Sequence, residues 1–329
     1  MAHTRRAALA GAAALPFAGA LAPASAQARW QFATPYADGN FHTRNIREFT
    51  AEVERATAGR VGIQIHSNGS LLPMPQIKRG AQQGQVQLGE ILLSAYGNED
   101  VFFELDSIPQ LARNYDDARR LMELSRSHIE ARFNRQGLSV LYMVPWPSSG
   151  FYTNFAVESL ENLRGTRMRT FNNMTNRFAT LIGATPTLVQ AAEVPQAFAT
   201  GVVNAMVTSA ATGVDSSAWD FSRHFTPVGF TFTKNVVFVN QRMFAALSAA
   251  DQAAIRTAAR TAEERGWRMS AEALTAAEAT LAQRGMTVTQ ASPALLTGMD
   301  RVSQTMVTEW VARAGEDGQR VIAAYRARA

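Results

Sequence analysis

The stretch 163-LRGTRMRTFNNMTN-176 sets three arginines within six positions, directly ahead of a cluster of asparagine and threonine, and it contains no Asp or Glu. Read as a strand, "TRMRTF" sends Arg167 and Arg169 to one face and Thr166, Met168 and Thr170 to the other. Thr175 or Asn173 then caps a helix over 174–182 that stops at Gly183. Arg169 therefore falls at the carboxyl end of a strand, just ahead of a helix N-terminus. In open α/β sheets ligands bind at that place, and the first N–H groups of the helix add donors and partial positive charge. A guanidinium grips a carboxylate through two parallel hydrogen bonds. Spacing alone leaves two readings open: a solvated strand edge, or an arginine whose anion is not part of the protein.

The same alternation of strand and helix runs through the chain. "WQFATPY" (30–36) and "RVGIQIHS" (60–67) read as strands around a helix at 42–58, where Ile46, Phe49, Val53 and Ala56 recur at helical spacing and Gly59 is the stop. Pro75 opens a short helix ending near Gly84. The apolar run 86–95 carries one carboxylate, Glu90. A helix over 116–136 precedes a buried strand at 138–147, broken by Pro145 and Pro147. Beyond the arginines, "TPTLVQ" (185–190) and "VVNAMVTS" (202–209) read as strands flanking a helix at 193–200, and "VVFVN" (236–240) as another. Ser248 caps a helix that runs to Gly285, roughly 54 Å at about 1.5 Å per residue, with Gly266-Trp267 as the place for a bend. That length exceeds one small lobe and suits a bridge between two. A strand at 286–290 and C-terminal helices close the chain. The βαβ rhythm predicts α/β layers with largely parallel strands. A chain of 329 residues is longer than one hydrophobic core usually serves. Two lobes are expected, joined by several crossings, with 145–150 and 229–235 as candidates.

Composition narrows the function. With 47% hydrophobic and 18% charged residues the chain is globular. The absence of cysteine excludes disulfides and thiol chemistry, and five scattered histidines argue against a zinc site. Residues 1–26 have a positive start, an Ala/Leu-rich middle and an Ala24-Ser25-Ala26 end, the pattern of a secretory signal cleaved after Ala26 or Ala28. The Arg5-Arg6 pair looks like a twin-arginine export signal, with ordinary Sec export as the alternative. Pro16 interrupts the apolar run, which argues against a retained anchor, and no other run of about 18 apolar residues exists. A soluble periplasmic product is expected. Losing residues 1–26 removes Arg5 and Arg6 and no acid, so the net charge of +5 falls by two. That small, scattered charge predicts no nucleic-acid surface. No G-x-S-x-G, H-E-x-x-H, P-loop or G-x-G-x-x-G motif occurs, and no cofactor or metal is implied. Catalytic triads are assembled in space and are invisible to spacing, so an exported α/β enzyme acting on a carboxylated substrate stays as the alternative to a binding protein.

Three blocks carry a family resemblance: "NFHTRNIREFTAEVERATAGRVGIQIHSNGSL" (40–71), "LRGTRMR" (163–169) and "LIGATPTLVQAAEVPQAFATGVVNA" (181–205). In this order and spacing, the chain beyond the signal resembles the DctP-like extracytoplasmic solute receptors of tripartite ATP-independent periplasmic (TRAP) transporters. The resemblance implies a two-lobed periplasmic-binding-protein fold, with mixed sheets flanked by helices and a long helix bridging both lobes. On that pattern lobe 1 takes 27–147 and a return at 229–265, and lobe 2 takes 148–228. Residues 266–329 hold the rest of the bridging helix, part of lobe 2 and the C-terminal helices. It implies a monomer that captures a small organic acid and hands it to a membrane permease, without catalysis. A receptor for an ABC-type or tricarboxylate transporter is the nearer rival.

The resemblance also assigns residues. Arg169 stands where the family has its carboxylate anchor, and Asn172 where members have a pocket asparagine. Glu90 matches a pocket acid of some relatives; the plain alternative is a strand-end carboxylate paired with a structural cation. Ser149 stands where sialic-acid receptors carry a second arginine, and Thr208 where they carry an asparagine. Both departures argue against a polyhydroxylated sugar acid. Tyr36, Trp146, Tyr152 and Trp219 are the aromatic residues expected to shape the ligand's carbon skeleton, each with core packing as its alternative. Arg164 and Arg167 are assigned to surface or salt-bridge roles. The ligand expected is a keto acid, hydroxy acid, aromatic acid or short dicarboxylate.

Overall fold

The computed structural model describes residues 29–327; the export signal expected at 1–26 lies outside the described residues. The first lobe begins with β1 (Trp30–Ala33), α1 (Phe41–Ala56), β2 (Ile63–His66), α2 (Met74–Gln82), β3 (Leu88–Leu92), α3 (Tyr115–Arg135) and β4 (Leu138–Pro145). The second holds β5 (Ser149–Thr153), β6 (Arg167–Thr170), α4 (Asn173–Leu181), β7 (Thr185–Leu188), α5 (Val194–Ala199), β8 (Ala205–Ser209), α6 (Ala210–Asp215) and β9 (His224–Pro227). The chain returns through β10 (Lys234–Asn240), α7 (Gln241–Ala245), α8 (Ala249–Gln283), β11 (Thr287–Val288) and α9 (Pro293–Arg326). One sheet has the order β2-β1-β3-β10-β4, the other β11-β9-β5-β8-β6-β7.

Largely parallel strands were the expectation from the βαβ rhythm; the sheets are mixed. β1 pairs in parallel with β2 and β3, and β6 with β7 and β8. β10, however, runs antiparallel to β3 and β4, and β5 antiparallel to β8 and β9. The cause is the route of the chain. β10 enters the first sheet from the second lobe, with Asn235 opposite Leu92 at the carboxyl end of β3. β5 enters the second sheet from the first lobe, with Ser149 opposite Ser209 at the carboxyl end of β8. A strand arriving from the carboxyl edge must run back against its neighbours, since no crossover helix has carried it to the other end. Both crossings therefore pass the carboxyl edges of both sheets, where the parallel strands deliver their loops. β5 and β9 were not legible beforehand. β5 follows two prolines, β9 ends in one, and "SGFYT" is buried on both faces, so it lacks the alternation that marks a strand.

The helices follow their local signals. In α1, Ile46, Phe49 and Val53 are buried, Asn40 caps the start by accepting from the His42 N–H at 2.9 Å, and Gly59 leaves the helix at φ +77°. α3 places Asp116 and Asp117 in its first turn and Arg132 and Arg135 in its last, complementing the helix dipole. α8 is one uninterrupted helix of 35 residues capped by Ser248. Gly266 marks no bend: a Cβ there would collide with Val144 and Asn45, so glycine lets the helix lie close to β4. It packs on α1 and β4 of the first lobe and on α6 and β11 on the second sheet's side, joining the lobes. α9 breaks at Gly315, whose φ of 64° falls in the left-handed region.

Candidate functional site

A cavity of about 210 Å³ lies between the sheets, at the carboxyl edges of their parallel strands. The first lobe supplies Pro35 and Tyr36 after β1, Asn68 and Gly69 after β2, and Met74 and Leu92. The second supplies Arg169 and Phe171 at the end of β6, the turn 190–193 after β7, and Thr208, Ser209 and Thr212 around the end of β8. The two crossings add Trp146, Ser149 and Thr233. One side is thus aromatic and aliphatic, the other rich in hydroxyls, and a single guanidinium serves both.

Arg169 is buried, with 2% of its surface exposed. Its Nε donates to the Val189 carbonyl oxygen at 3.0 Å, and its guanidinium lies 5.6 Å over the Phe171 ring. Nη1 has no hydrogen-bond partner among the described residues. Burial pushes the guanidinium down to about 10, and among the described residues only the hydroxyl of Tyr36 shifts it back. Its strand neighbours behave differently. Arg167 is exposed, with Nε on the Gly201 carbonyl oxygen at 3.0 Å, and Arg164 is paired with Glu161 in solvent.

Behind the aromatic wall lies a buried polar relay. Asn235, on β10, accepts through Oδ1 from Trp146 Nε1 at 2.8 Å and from the Tyr36 hydroxyl at 3.2 Å. Its Nδ2 donates to Glu90 Oε1 at 2.9 Å, and Thr34 Oγ1 donates to Glu90 Oε2 at 2.6 Å. His42 Nδ1 stands 3.4 Å from Glu90. Burial pushes the Glu90 carboxyl up to about 7, and burial holds the His42 imidazole well below its usual range. Tyr36 and Trp146 meet edge to face, with centroids 5.0 Å apart.

Tyr36, Trp146, Ser149, Arg169 and Thr208 thus come together on the cavity lining. Four other residues expected there do not. Glu90 sits on β3 beneath the wall, 1% exposed, with both oxygens already engaged. Asn172 itself caps α4, in place of Thr175 or Asn173: Oδ1 accepts from the Thr175 N–H at 2.8 Å, while Nδ2 donates to Ser94 and Ser107 at 2.8 and 3.0 Å. Its hydrogen-bonding capacity is spent joining the two lobes. Tyr152 lies fully buried under the floor, its hydroxyl on the Ser209 carbonyl oxygen, packed against Phe225 and Gly213. Trp219 lies off the cleft, with the Arg284 guanidinium 5.1 Å over its ring. Asn235 was not foreseen. The one available signal was two polar residues, Lys234 and Asn235, opening an otherwise apolar strand.

The DctP family, described as bacterial extracellular solute-binding protein family 7, matches residues 32–314. The chain belongs to the DctP family. Among solved structures, two DctP-family receptors from Bordetella pertussis are similar to it. DctP7, an extracytoplasmic solute receptor binding pyroglutamic acid, is 42% identical with a TM-score of 0.89, over 91% of this chain and 99% of that one. DctP6, also binding pyroglutamic acid, is 36% identical at the same TM-score and coverage. A marine metagenome TRAP solute-binding protein specific for pyroglutamate is 33% identical, again with a TM-score of 0.89 and the same coverage. This DctP protein is therefore an extracytoplasmic solute receptor of the TRAP type, a transport component and not an enzyme. No helix among the described residues is long and apolar enough to cross a membrane.

Proposed function

We propose that the cleft captures a small acid of pyroglutamate's kind, one carboxylate on a compact, weakly polar body, for delivery to a TRAP permease. The observation that carries this is Arg169: buried and facing the cavity, with no carboxylate paired to it among the described residues. A carboxylate there would meet a preorganised, desolvated donor. At about 210 Å³ the cavity is smaller than the ~300–1,000 Å³ of drug-sized sites, which suits a small acid. Relatives at 33–42% identity that bind pyroglutamate support the lactam acid in particular. Tyr36 and Trp146 would cover the ring, and the hydroxyls of Ser149, Thr208 and Thr212 would meet its polar edge.

In this reading residues 27–147 with 229–265, and 148–228, are the lobes that close on the ligand, with 266–329 supplying the rest of the bridging helix, part of lobe 2 and the C-terminal helices. The protein acts as a monomer and has no nucleic-acid partner; the small net charge supports the second point. The test is titration calorimetry with pyroglutamate, together with mass spectrometry of acid carried through purification. A receptor releases its ligand unchanged on denaturation. Conversion of the acid, or no binding of any small carboxylate, would sink the reading.

A further inference from the structure

The relay behind the aromatic wall has a fixed direction. The indole N–H of Trp146 can only donate, so the Asn235 atom it meets at 2.8 Å is the amide oxygen. That oxygen only accepts. The Tyr36 hydroxyl, 3.2 Å from the same atom, must therefore give its proton to Asn235. The amide nitrogen is left facing Glu90 Oε1 at 2.9 Å, where a carboxyl oxygen accepts it, and Thr34 supplies the other carboxyl oxygen with a donor. Every member from Trp146 to Glu90 is buried, none more than 8% exposed. Water cannot readily reverse the chain.

This leaves Trp146 with only its ring face for a ligand. It leaves Tyr36 with only lone pairs. Tyr36 and Arg169 line the same cleft, and each shifts the other's ionisation. Among the described residues no hydrogen bond joins the two: Arg169 Nε is on Val189, and Nη1 has no partner. Ser149, Thr208 and Thr212 differ: their hydroxyls rotate and can meet donor or acceptor alike.

We propose that Tyr36, held by Asn235, is a fixed acceptor beside the carboxylate site, so that the cleft selects acids carrying an N–H or O–H donor next to the carboxylate. The amide N–H of a lactam qualifies; the ring oxygen of the corresponding lactone does not, because it sets lone pair against lone pair in a dry site. This rests on the carboxylate reading of the cleft and names the second group that the ligand must bring.

The experiment is calorimetry with two probes, pyroglutamate and its lactone analogue in which oxygen replaces the ring N–H, on the wild type, Tyr36→Phe and Asn235→Ala. A buried hydrogen bond lost with its partner left unpaired costs about 1–3 kcal/mol, so the wild type should prefer the lactam by about 5- to 150-fold. Tyr36→Phe removes the acceptor and should bring the ratio near one, mainly by weakening the lactam. Asn235→Ala frees the Tyr36 proton for the ligand and should shrink the ratio by improving the lactone. If Asn235→Ala does not fold, Tyr36→Phe decides alone. Equal binding of both acids by the wild type, or an unchanged ratio in Tyr36→Phe, overturns the selection while leaving the carboxylate reading intact. Binding of neither acid overturns both.

Discussion

Arg169 and Lys234 are buried alike, each 2% exposed, on strands of opposite lobes, and the protein treats them in opposite ways. Lys234 Nζ sits 3.0 Å from the Asp106 carboxylate, which also accepts the Lys234 backbone N–H at 2.9 Å. The charge is neutralised within the fold, at the crossing where the chain re-enters the first sheet. Arg169 has a carbonyl oxygen and an aromatic ring, and among the described residues no acid. An uncompensated buried cation is costly, and burial pushes the Arg169 guanidinium down to about 10. A cation that serves the fold is given its counter-ion by the chain. One held without a counter-ion, facing a cavity, is arranged for an anion from outside.

The contrast breaks most visibly in stability. Lys234→Met leaves Asp106 buried without its cation and should cost about 3–5 kcal/mol, read from denaturant unfolding without ligand. Arg169→Met should cost little or even stabilise, since it removes an unpaired charge. Equal losses would erase the distinction. Binding sharpens it from the other side. Arg169→Ala should lose about 2–5 kcal/mol of ligand affinity, about 30- to several-thousand-fold. Arg169→Lys should fall between, keeping the charge without the two-pronged grip. Near-normal calorimetric binding by a folded Arg169→Ala protein would refute the anchor.

A smaller effect lies in pH. The Glu90 carboxyl is raised from 4.5 to about 7 by burial, so the folded state holds this proton more firmly than the unfolded chain does. Its contribution to stability is full below pH 4.5 and is lost as the pH rises to about 7. His42, held below 6.5, pulls the other way, its contribution being lost as the pH falls below 6.5. Glu90→Gln keeps an oxygen for Asn235 and removes the titration. The difference between wild type and variant should therefore grow in the variant's favour from pH 4.5 to about 7, measured by urea unfolding across that range; a difference independent of pH counts against it. The smallest effect is expected at Arg164 and Arg167. Exposed pairs contribute about 0–1 kcal/mol, so Arg164→Ala and Arg167→Ala should leave affinity within about threefold. A larger loss at either would mean that the cleft draws on more of the arginine cluster than Arg169.

The features legible from the residues alone are local. Caps, glycine stops and the spacing of Ile46, Phe49 and Val53 place α1, and Ser248 opens α8, because these signals act within a few residues of one another. The position of Arg169 at a strand end before a helix is legible for the same reason. Which polar residues face the cavity is settled by long-range packing. Glu90 lies on a strand buried on both faces, which does not announce which layer a side chain enters, and Asn172 is a helix cap whose other partners are distant in the chain. Asn172 gives its amide to Ser94 and Ser107, which lie 65 to 78 residues away in the chain. Asn235 reaches Tyr36 across 199 residues and Trp146 across 89. A hydrogen bond's direction is set by the chemistry of both ends, and here the fold alone brings those ends together.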